Sequence, residues 1–372
     1  MKILFFTDLH IPNQTNSISN SDFRECLEFL QFIKEQIVEN RVDLVIFGGD
    51  LFEDPKSITS SALTFFSDEI ATIAQLSQLI LLVGNHDSIE HNKIENVQRI
   101  SLLNHLKHYD RVNVIDAPYW ITTIHEEMTQ LVFVPYCKNI ADILESMAFK
   151  LHESHRKILF GHFEISDFNY VNMNKEMILS TVGKLPSVKD IIETYKYDLS
   201  FIGHIHEPKT FGPNQEVIYV GSCRNIDFGN STEDKFIYLI DTQTLSYEKI
   251  KNPNTYTFKK FYSLDDIKKY MVEKTKSELS RTRIIFHYRT MDEVQKINKI
   301  KSYFDYVKLD KIIDEESSTI DESKESPEFF NRKYEIVNEN NILSFIFEFD
   351  NIDEKKRDSY IQMFNYIGRQ KV

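Results

Sequence analysis

The sequence predicts an α/β fold with more than one domain, and three observations predict it. Apolar strand-like runs alternate with amphipathic helical patterns over about the first 250 residues, as in a sheet covered by helices. The chain has 372 residues, which is more than one ordinary hydrophobic core accommodates. From about residue 255 the alternation starts again, with a more basic composition.

The elements of the larger part follow from hydrophobic periodicity. Short apolar runs predict strands at 2–6, 43–47, 79–83, 131–135, 157–160 and 199–202. Apolar residues that recur every three or four positions predict helices at about 22–39, 59–75, 95–107 and 139–150. Later strands at 216–220, 235–240 and 245–250 have no long helix between them, which predicts an antiparallel region that closes a second sheet.

The smaller part has its own set of elements. Strand patterns at 257–263, 283–289 and 306–312 alternate with helical patterns at 264–279 and 291–304, which predicts a small α+β unit. Segment 249–311 holds 16 Lys and Arg against 8 Asp and Glu, whereas the whole chain has a net charge of −13. The overall charge argues against indiscriminate binding to polyanions. A solvated helical surface accounts for the local excess by itself.

The last part of the chain is acidic and then aromatic. Segment 313–328 is rich in Ser and acids and is expected to be a flexible linker. The aromatic tail that follows, 342–367, is expected either to pack on the body or to bind a partner. No run of about 18 uncharged apolar residues occurs, so no membrane span is predicted. Three widely separated cysteines favour a reduced, cytosolic setting.

Polar side chains of the kind that bind metals follow most of the candidate strands. In an open α/β sheet, ligands gather beyond the carboxyl ends of the strands, so side chains that are distant in sequence are expected to converge there. Glycine precedes four of these positions, at 49, 84, 161 and 203, although the chain has only ten glycines. The side chains are Asp8 and His10, Asp50, Asn85 with His86 and Asp87, His162, and His204 with His206.

Carboxylate, amide and imidazole ligands without thiolate suit divalent ions such as Mn²⁺, Fe²⁺ or Zn²⁺. Asp8 and His10 are two residues apart and would face one side of a strand, as would His204 and His206. Asp50 stands alone, and its two oxygens could bridge two ions. A pair of ions about 3.5–4 Å apart is the usual apparatus for hydrolysing phosphate esters. One such tract is a weak signal, but five of them at five strand ends favour a metal site over ordinary loops.

The tracts DLH, GGD, GNHD, GH and GHIH resemble the five-part signature of calcineurin-like metallophosphoesterases, over roughly residues 1–225. Within that superfamily the chain resembles the SbcD-type DNA-repair nucleases, also called the meiotic-recombination-eleven family. Three less specific tracts are similar to the phage recombination nuclease subunit: 161–168, 218–229 and 252–254. The resemblance implies a four-layer α/β/β/α sandwich with a small α+β capping domain and a C-terminal partner-binding segment. The implied segments are a nuclease domain (1–250), a DNA-capping domain (251–312), an acidic linker (313–330) and an ATPase-binding segment (331–372).

The resemblance also implies the roles of the strand-end residues. Two divalent ions would be bound, with Mn²⁺ the usual metal of the family and Mg²⁺ the alternative. His86 would contact the scissile phosphate and assist departure of the leaving oxygen. One ion would be held by Asp8, His10, Asp50 and His206, and the other by Asp50, Asn85, His162 and His204.

Two carboxylates beside these ligands are further catalytic candidates. Asp87 follows His86 directly in the GNHD tract. Glu53 lies three residues after Asp50, where many nuclease relatives have His and protein phosphatases have Asp. We hypothesise that the Glu53 carboxylate orients His86 and raises its pKa; an exposed acid at a helix start explains Glu53 almost as well.

The implied function is a manganese-dependent DNA nuclease, with duplex exonuclease and single-strand endonuclease action, in double-strand-break processing and recombination. The implied partners are DNA, a coiled-coil ATPase subunit of the SbcC type and a second copy of the chain; the implied location is the bacterial or phage-infected cytoplasm. Segment 96–109 could supply a dimer face, although core packing explains it equally well. The alternatives are a phosphatase or cyclic-nucleotide phosphodiesterase on the same fold, and an inactive scaffold. The basic cap and aromatic tail disfavour the first, and the intact ligand set disfavours the second.

Overall fold

The structure is a computed structural model that describes residues 1–12, 21–90, 99–123, 128–168, 183–226, 228 and 234–312. The described residues up to 312 belong to one compact unit, and residues 313–372 lie outside the described residues. The predicted linker and the predicted ATPase-binding segment therefore also lie outside them, as do residues 96–98 of the predicted dimer face. No helix among the described residues has the length and apolar character needed to cross a membrane.

Two six-stranded sheets form the centre of the molecule. The first contains, in spatial order, β14 (Ser246–Lys251), β13 (Phe236–Asp241), β1 (Lys2–Phe6), β2 (Leu44–Phe47), β3 (Gln78–Leu82) and β6 (Val112–Ile115). The second contains β11 (Lys209–Phe211), β12 (Val217–Tyr219), β10 (Leu199–Gly203), β9 (Arg156–His162), β8 (Thr129–Val134) and β7 (Tyr119–Thr123). A two-stranded hairpin, β4 (Ser88–Glu90) with β5 (Arg99–Ser101), follows β3.

The alternation of side chains along each strand produces the layers. On β1, Ile3 and Phe5 pack against the second sheet, whereas Leu4 and Phe6 pack against helices on the other side. Those helices are α1 (Ser21–Asn40) and α2 (Ser60–Leu76). The outer face of the second sheet packs against α3 (Ile140–Ala148) and a π-helical turn (Asp190–Thr194). The order of layers is therefore α/β/β/α, which confirms the predicted fold class.

The core strands and three of the four predicted helices lie where the sequence placed them, but two expectations were wrong. The later strands β13 and β14 do not close the second sheet; they extend the first, with β13 antiparallel to β1. Of the helix predicted at 95–107, residues 95–98 lie outside the described residues, and the rest is β5 followed by a 3₁₀ helix, Leu102–His108. Its Leu103 and Leu106 are fully buried in the core beside α2, so they do not form a dimer face.

The basic part has its own sheet and core. Its strands β15 (Thr257–Phe261), β16 (Thr282–Tyr288) and β17 (Tyr306–Lys311) are parallel. They pack with three helices, α4 (Leu264–Glu273), α5 (Lys276–Ser280) and α6 (Met291–Ile300), and a short 3₁₀ turn, Lys301–Tyr303. The predicted helix at 264–279 is thus two helices, because Thr275 begins a new one with a capping box.

Ion pairs join this three-stranded unit to helix α1. Arg283 on β16 contacts Asp22 at 2.6 Å, and Arg281 contacts Glu28 at 2.7 Å. Between those two acids on the same helix face, the buried Glu25 accepts a hydrogen bond from Tyr256 N at 2.8 Å. Ion pairs and a hydrogen bond therefore cross the boundary between the predicted domains 1–250 and 251–312.

Candidate metal centre

The seven predicted ligand residues lie at the carboxyl ends of strands from both sheets. Asp8 and His10 follow β1, Asp50 follows β2, and Asn85 follows β3. His162 ends β9, and the parallel pairing of β9 with β10 places it opposite Gly203, directly before His204. The packing of one sheet on the other thus brings together side chains separated by roughly 200 residues.

The first cluster consists of Asp8, His10 and His206, whose potential ligand atoms lie within 4.8 Å of one another. The Nε2 atoms of the two histidines are 3.1 Å apart. They lie 3.8 Å (His10) and 3.7 Å (His206) from Asp8 Oδ1. Among the described residues, this buried Asp8 Oδ1 has no hydrogen-bond partner. An orphaned carboxylate oxygen facing two imidazole nitrogens fits a cation.

The second cluster consists of Asp50, His162 and His204, again within 4.8 Å. Asp50 Oδ2 lies 3.2 Å from His162 Nε2. Asn85 joins this cluster, because its Oδ1 lies 3.1 Å from His162 Nε2 and 2.9 Å from His204 Nδ1. Asp50 Oδ2 is also 3.7 Å from His10 Nε2, so this one oxygen lies between the two clusters.

The tautomers of the second cluster support the same conclusion. A carbonyl accepts only, so His162 carries its proton on Nδ1, which donates to Gly48 O at 2.8 Å. His204 likewise donates from Nε2 to Glu164 Oε1 at 2.8 Å. The other ring nitrogens then present lone pairs to the oxygens of Asn85 and Asp50. With both rings neutral, four electron-pair donors converge here, and a bound cation can take the place of the proton that His162 Nε2 otherwise holds against Asp50.

The negative charge of the site shifts the pKa values of its histidines. Burial acts to lower the pKa of His10, but contacts with Asp8 and other carboxylates outweigh burial and raise it to about 10. Burial opposes protonation of His162 too, and Asp50 and Asp8 raise its pKa to about 9. For His206 burial dominates and lowers the pKa to about 4. The site therefore stabilises positive charge at two of these three imidazoles.

The carboxylates show the complementary shift. Burial acts to raise the pKa of Asp8, yet His10, His162 and His206 together lower it. The pKa of Asp50 is lowered in the same way, chiefly by His162 against the effect of burial. Both carboxylates are thus held ionised, as ligands of a divalent ion must be.

His86 lies beside the first cluster, with its ring edge-on to that of His10 at 4.8 Å. Its backbone N–H donates to Asp50 Oδ1 at 2.8 Å, and its ring Nδ1 lies 2.5 Å from the backbone carbonyl of Glu53. The Glu53 carboxylate points elsewhere: Oε2 lies 2.9 Å from His10 Nδ1, a contact that lowers the pKa of Glu53. Glu53 thus holds His86 through its main chain, not through the carboxylate that we expected to orient it.

Asp87 is completely buried beneath the site. Its Oδ2 accepts the N–H groups of Asp50 at 2.8 Å and Gly84 at 2.9 Å. Its Oδ1 accepts those of Leu51 at 2.9 Å and Phe52 at 3.2 Å. We therefore propose that Asp87 positions the turn that carries Asp50. A Cβ on Gly84 would overlap Asp50 Oδ1, which explains the glycine before Asn85.

Two residues of the site escaped the sequence analysis. Glu164 holds His204 as described above, and it lies two residues after His162. Arg224 is buried, donating from Nε to Leu9 O at 2.8 Å and from Nη2 to His10 O at 2.6 Å. Neither follows a strand end with a metal-ligand pattern, so the signal that found the ligands does not find them. Both lie in tracts that were noted only for their family resemblance.

Comparison with known proteins agrees with this geometry. The family model described as calcineurin-like phosphoesterase matches residues 1–208. Exonuclease subunit 1 of Enterobacteria phage T4 is 25% identical over 264 residues, 69% of this chain and 69% of that protein. The SbcD component of the nuclease SbcCD of Escherichia coli is 22% identical over 284 residues, 68% of each. The DNA double-strand break repair protein Mre11 of Nanoarchaeum equitans is 23% identical over 347 residues, 89% of this chain and 91% of that protein.

Proposed function

This chain belongs to the calcineurin-like phosphoesterase family, and we propose that it is a dinuclear-metal-dependent DNA nuclease. We further propose that it works in double-strand-break processing and recombination with a coiled-coil ATPase subunit. The observation that carries the proposal is the pair of ligand clusters that meet at Asp50 Oδ2 beside His86.

The ligand set fits two divalent ions, for which we propose Mn²⁺, with Mg²⁺ as the alternative. Asp8, His10 and His206 would hold one, Asn85, His162 and His204 the other, and Asp50 would touch both. When bound, such ions neutralise phosphoryl charge and make water acidic enough to supply hydroxide near neutral pH. Hydrolysis then adds the oxygen to phosphorus, breaks one P–O bond of the DNA backbone and leaves an alkoxide that needs a proton.

We assign delivery of that proton to His86. Because its Nδ1 lies 2.5 Å from a carbonyl, which can only accept, the ring keeps a proton on Nδ1 in every protonation state. Nε2 is then the atom that gains and loses a proton. In the imidazolium form, His86 Nε2 donates to the leaving oxygen and offsets its charge. The edge-on contact with His10 fixes the ring beside the first cluster.

DNA is the proposed substrate for two reasons. The relatives are, by name, an exonuclease subunit, a nuclease subunit and a double-strand break repair protein. The three-stranded unit lies within segment 249–311, whose net charge is +8, and a small phosphoester needs no such surface. Phosphate contacts by this unit would make binding weaker as salt concentration rises.

The proposed partner is the ATPase, because two of the relatives are named as subunits and the chain has no phosphate-binding GxxxxGK[ST] loop. Segment 331–372 is the proposed docking site, with 313–330 as its linker. We also propose a homodimer, although Leu103 and Leu106 of the expected face are buried in the core.

The direct test is hydrolysis of linear duplex DNA and of a small aryl phosphodiester by the purified full chain, with Mn²⁺, with Mg²⁺ and with chelator. We expect metal-dependent cleavage of DNA, and its loss in Asp50→Asn, which removes the shared ligand charge. Cleavage of the small ester alone would favour a phosphatase or cyclic-nucleotide phosphodiesterase. Absence of both activities and of bound metal would favour an inactive scaffold.

A further inference from the structure

The candidate ligand histidines differ in what holds the ring nitrogen that faces away from the clusters. His162 is held by a neutral backbone carbonyl, that of Gly48, at 2.8 Å. His204 is held by a carboxylate, Glu164 Oε1, also at 2.8 Å. A carboxylate acceptor draws the ring proton more strongly than a carbonyl, and so makes the opposite nitrogen a better ligand.

Glu164 is well placed for this role. Its side chain is buried, with 8% of the residue exposed, so its charge is little screened by solvent. It follows β9 by two residues, and β9 pairs with β10, which leads to His204. The tilted ring of Tyr136 lies 5.5 Å from the His204 ring. The imidazole is therefore held by a ring contact and by Glu164, with Nδ1 turned to Asn85 at 2.9 Å.

We propose that Glu164 is a positioning residue that fixes the ring and tautomer of His204, and thereby sets the divalent-cation affinity of the second cluster independently of the first. The proposal rests on the proposed function, because it assumes that the clusters bind metal. Removal of such an outer carboxylate typically weakens metal binding 10- to 100-fold.

Glu53 is the counterpart at the first cluster. Its Oε2 lies 2.9 Å from His10 Nδ1, but the pair is not aligned as a hydrogen bond, and the Glu53 side chain is 46% exposed. We therefore expect the same kind of effect from Glu53, confined to the first cluster and smaller. Each acid should therefore affect Mn²⁺ binding at one cluster only, and the experiment measures this difference.

The experiment is calorimetric titration of the metal-depleted full chain with Mn²⁺ in two backgrounds. His206→Ala removes a ligand of the first cluster and leaves the second to be measured. In that background we expect Glu164→Gln, which keeps a hydrogen-bond acceptor but not the charge, to weaken Mn²⁺ binding about 10- to 100-fold. Glu53→Gln should leave binding within about twofold. In the reciprocal background His162→Ala, Glu53→Gln should weaken Mn²⁺ binding, by a smaller factor, and Glu164→Gln should leave binding within about twofold.

The matched control is Glu153→Gln, an exposed acid outside the site, which should change neither background. Thermal melting of the metal-depleted chains should be the same with and without Glu164→Gln. The visible absorption of Co²⁺ bound in the otherwise unaltered chain should change with Glu164→Gln, a readout that a merely structural role would not move. That measurement also decides the proposal if a background variant does not fold.

In the His206→Ala background, Mn²⁺ binding by Glu164→Gln within twofold of the parent would overturn the proposal. Equal weakening by both glutamine variants in both backgrounds would also overturn it. An unaltered chain that binds two Mn²⁺ ions but does not cleave DNA would refute the nuclease function, and the calorimetry would still decide the role of Glu164. An unaltered chain that binds no Mn²⁺ would refute both.

Discussion

At the scale of single residues, the candidate ligands hold unusual backbone conformations. Four of them have φ between 48° and 83°, in the left-handed region that costs a residue other than glycine about 1–3 kcal/mol. Backbone hydrogen bonds among the ligand loops fix this conformation: Asp8 N donates to Gly49 O at 2.9 Å and His10 N to Asp50 O at 3.1 Å. The loops therefore brace one another. The four residues are Asp8, His10, Asp50 and His204.

The ligand types and their convergence could be predicted from the sequence, but their outer contacts could not. Strand-end position and a preceding glycine are local signals, and parallel strands end at one edge of a sheet. The direction of the Glu53 side chain depends on how the loop after β2 packs on the loop after β1, which residue spacing does not reveal. Residue spacing alone therefore suggested His86 as its partner, whereas the structure gives His10.

Replacement of His86 by Ala tests the assigned proton donor. The variant loses Nε2 but none of the ligands in the two clusters, so Mn²⁺ and DNA binding should persist. Cleavage should fall by about 10²- to 10⁴-fold, the usual contribution of a positioned acid. Single-turnover cleavage at saturating chain, alongside calorimetric Mn²⁺ binding, measures this, and loss of metal in the variant would refute the assignment.

The pH dependence of Mn²⁺ binding follows from the two raised pKa values. His10 and His162, with pKa values of about 10 and about 9, are protonated at neutral pH in the metal-depleted chain, so each ion must displace a proton. Affinity should rise about tenfold per pH unit between pH 6 and 9 for each proton displaced. His206, with a pKa of about 4, adds nothing in this range.

The same groups predict the opposite trend for the stability of the metal-depleted chain. A histidine whose folded pKa is raised stabilises the fold fully below about pH 6.5, and this contribution is lost as pH rises through about 9 to 10. Melting temperature should therefore fall as pH rises from about 6.5 to 9 without metal. At saturating Mn²⁺ it should stay nearly level over this range, because tighter metal binding at higher pH offsets the loss. Parallel trends would show that protons and metal do not compete for these residues.

At the scale of elements, periodicity identified the core strands and the long helices but not the sheet that each later strand joins. The apolar pattern of a strand does not identify the strand with which it pairs. Strand β13 pairs with β1, although their paired residues are more than 230 positions apart in the sequence. The expected helix at 95–107 was wrong because Leu103 and Leu106 also fit a 3₁₀ turn, in which residues three apart share a face.

Arg224 connects several elements at once. Its guanidinium donates to the carbonyls of Leu9 and His10, within the first ligand loop. It also lies 3.4 Å from Glu25, which is completely buried, and 3.2 Å from Asp22, which in turn contacts Arg283 on β16. The ligand loop, helix α1 and the three-stranded unit thus share one ionic network.

A double-mutant cycle tests the network. Arg224→Met should destabilise the chain by about 3–5 kcal/mol, because it leaves the Glu25 carboxylate buried without its cation. Adding Glu25→Gln should restore much of that stability. Mn²⁺ affinity should be low in the single and in the double variant, because both lack the guanidinium that donates to the carbonyls of Leu9 and His10. Denaturant unfolding and calorimetry measure the two effects, and additive losses of stability would contradict the coupling.

At the scale of the whole molecule, the chain pairs an acidic body with a basic three-stranded unit. The net charge of −13 conceals a local +8 over 249–311, which only a count along the sequence reveals. The sequence predicted this unit from its restarted pattern, but not its attachment, because Asp22, Glu25 and Glu28 on α1 look like an ordinary solvated face.

Deletion of 331–372 tests the proposal that this segment binds the ATPase while the rest of the chain binds metal and cleaves DNA. The ligand clusters lie wholly within 1–312, so Mn²⁺ binding and basal DNA cleavage should be unchanged. Co-purification of the ATPase with tagged chain from the native source should be lost. ATPase recovered equally with the full and shortened chains would refute the role of this segment.

The two cation positions are the premise of the whole account, and anomalous scattering from crystals of the full chain grown with Mn²⁺ tests them most directly. We predict two peaks about 3.5–4 Å apart, one among Asp8, His10 and His206 and one among Asn85, His162 and His204, with Asp50 in contact with both. A single peak, or peaks remote from Asp50, would contradict the account.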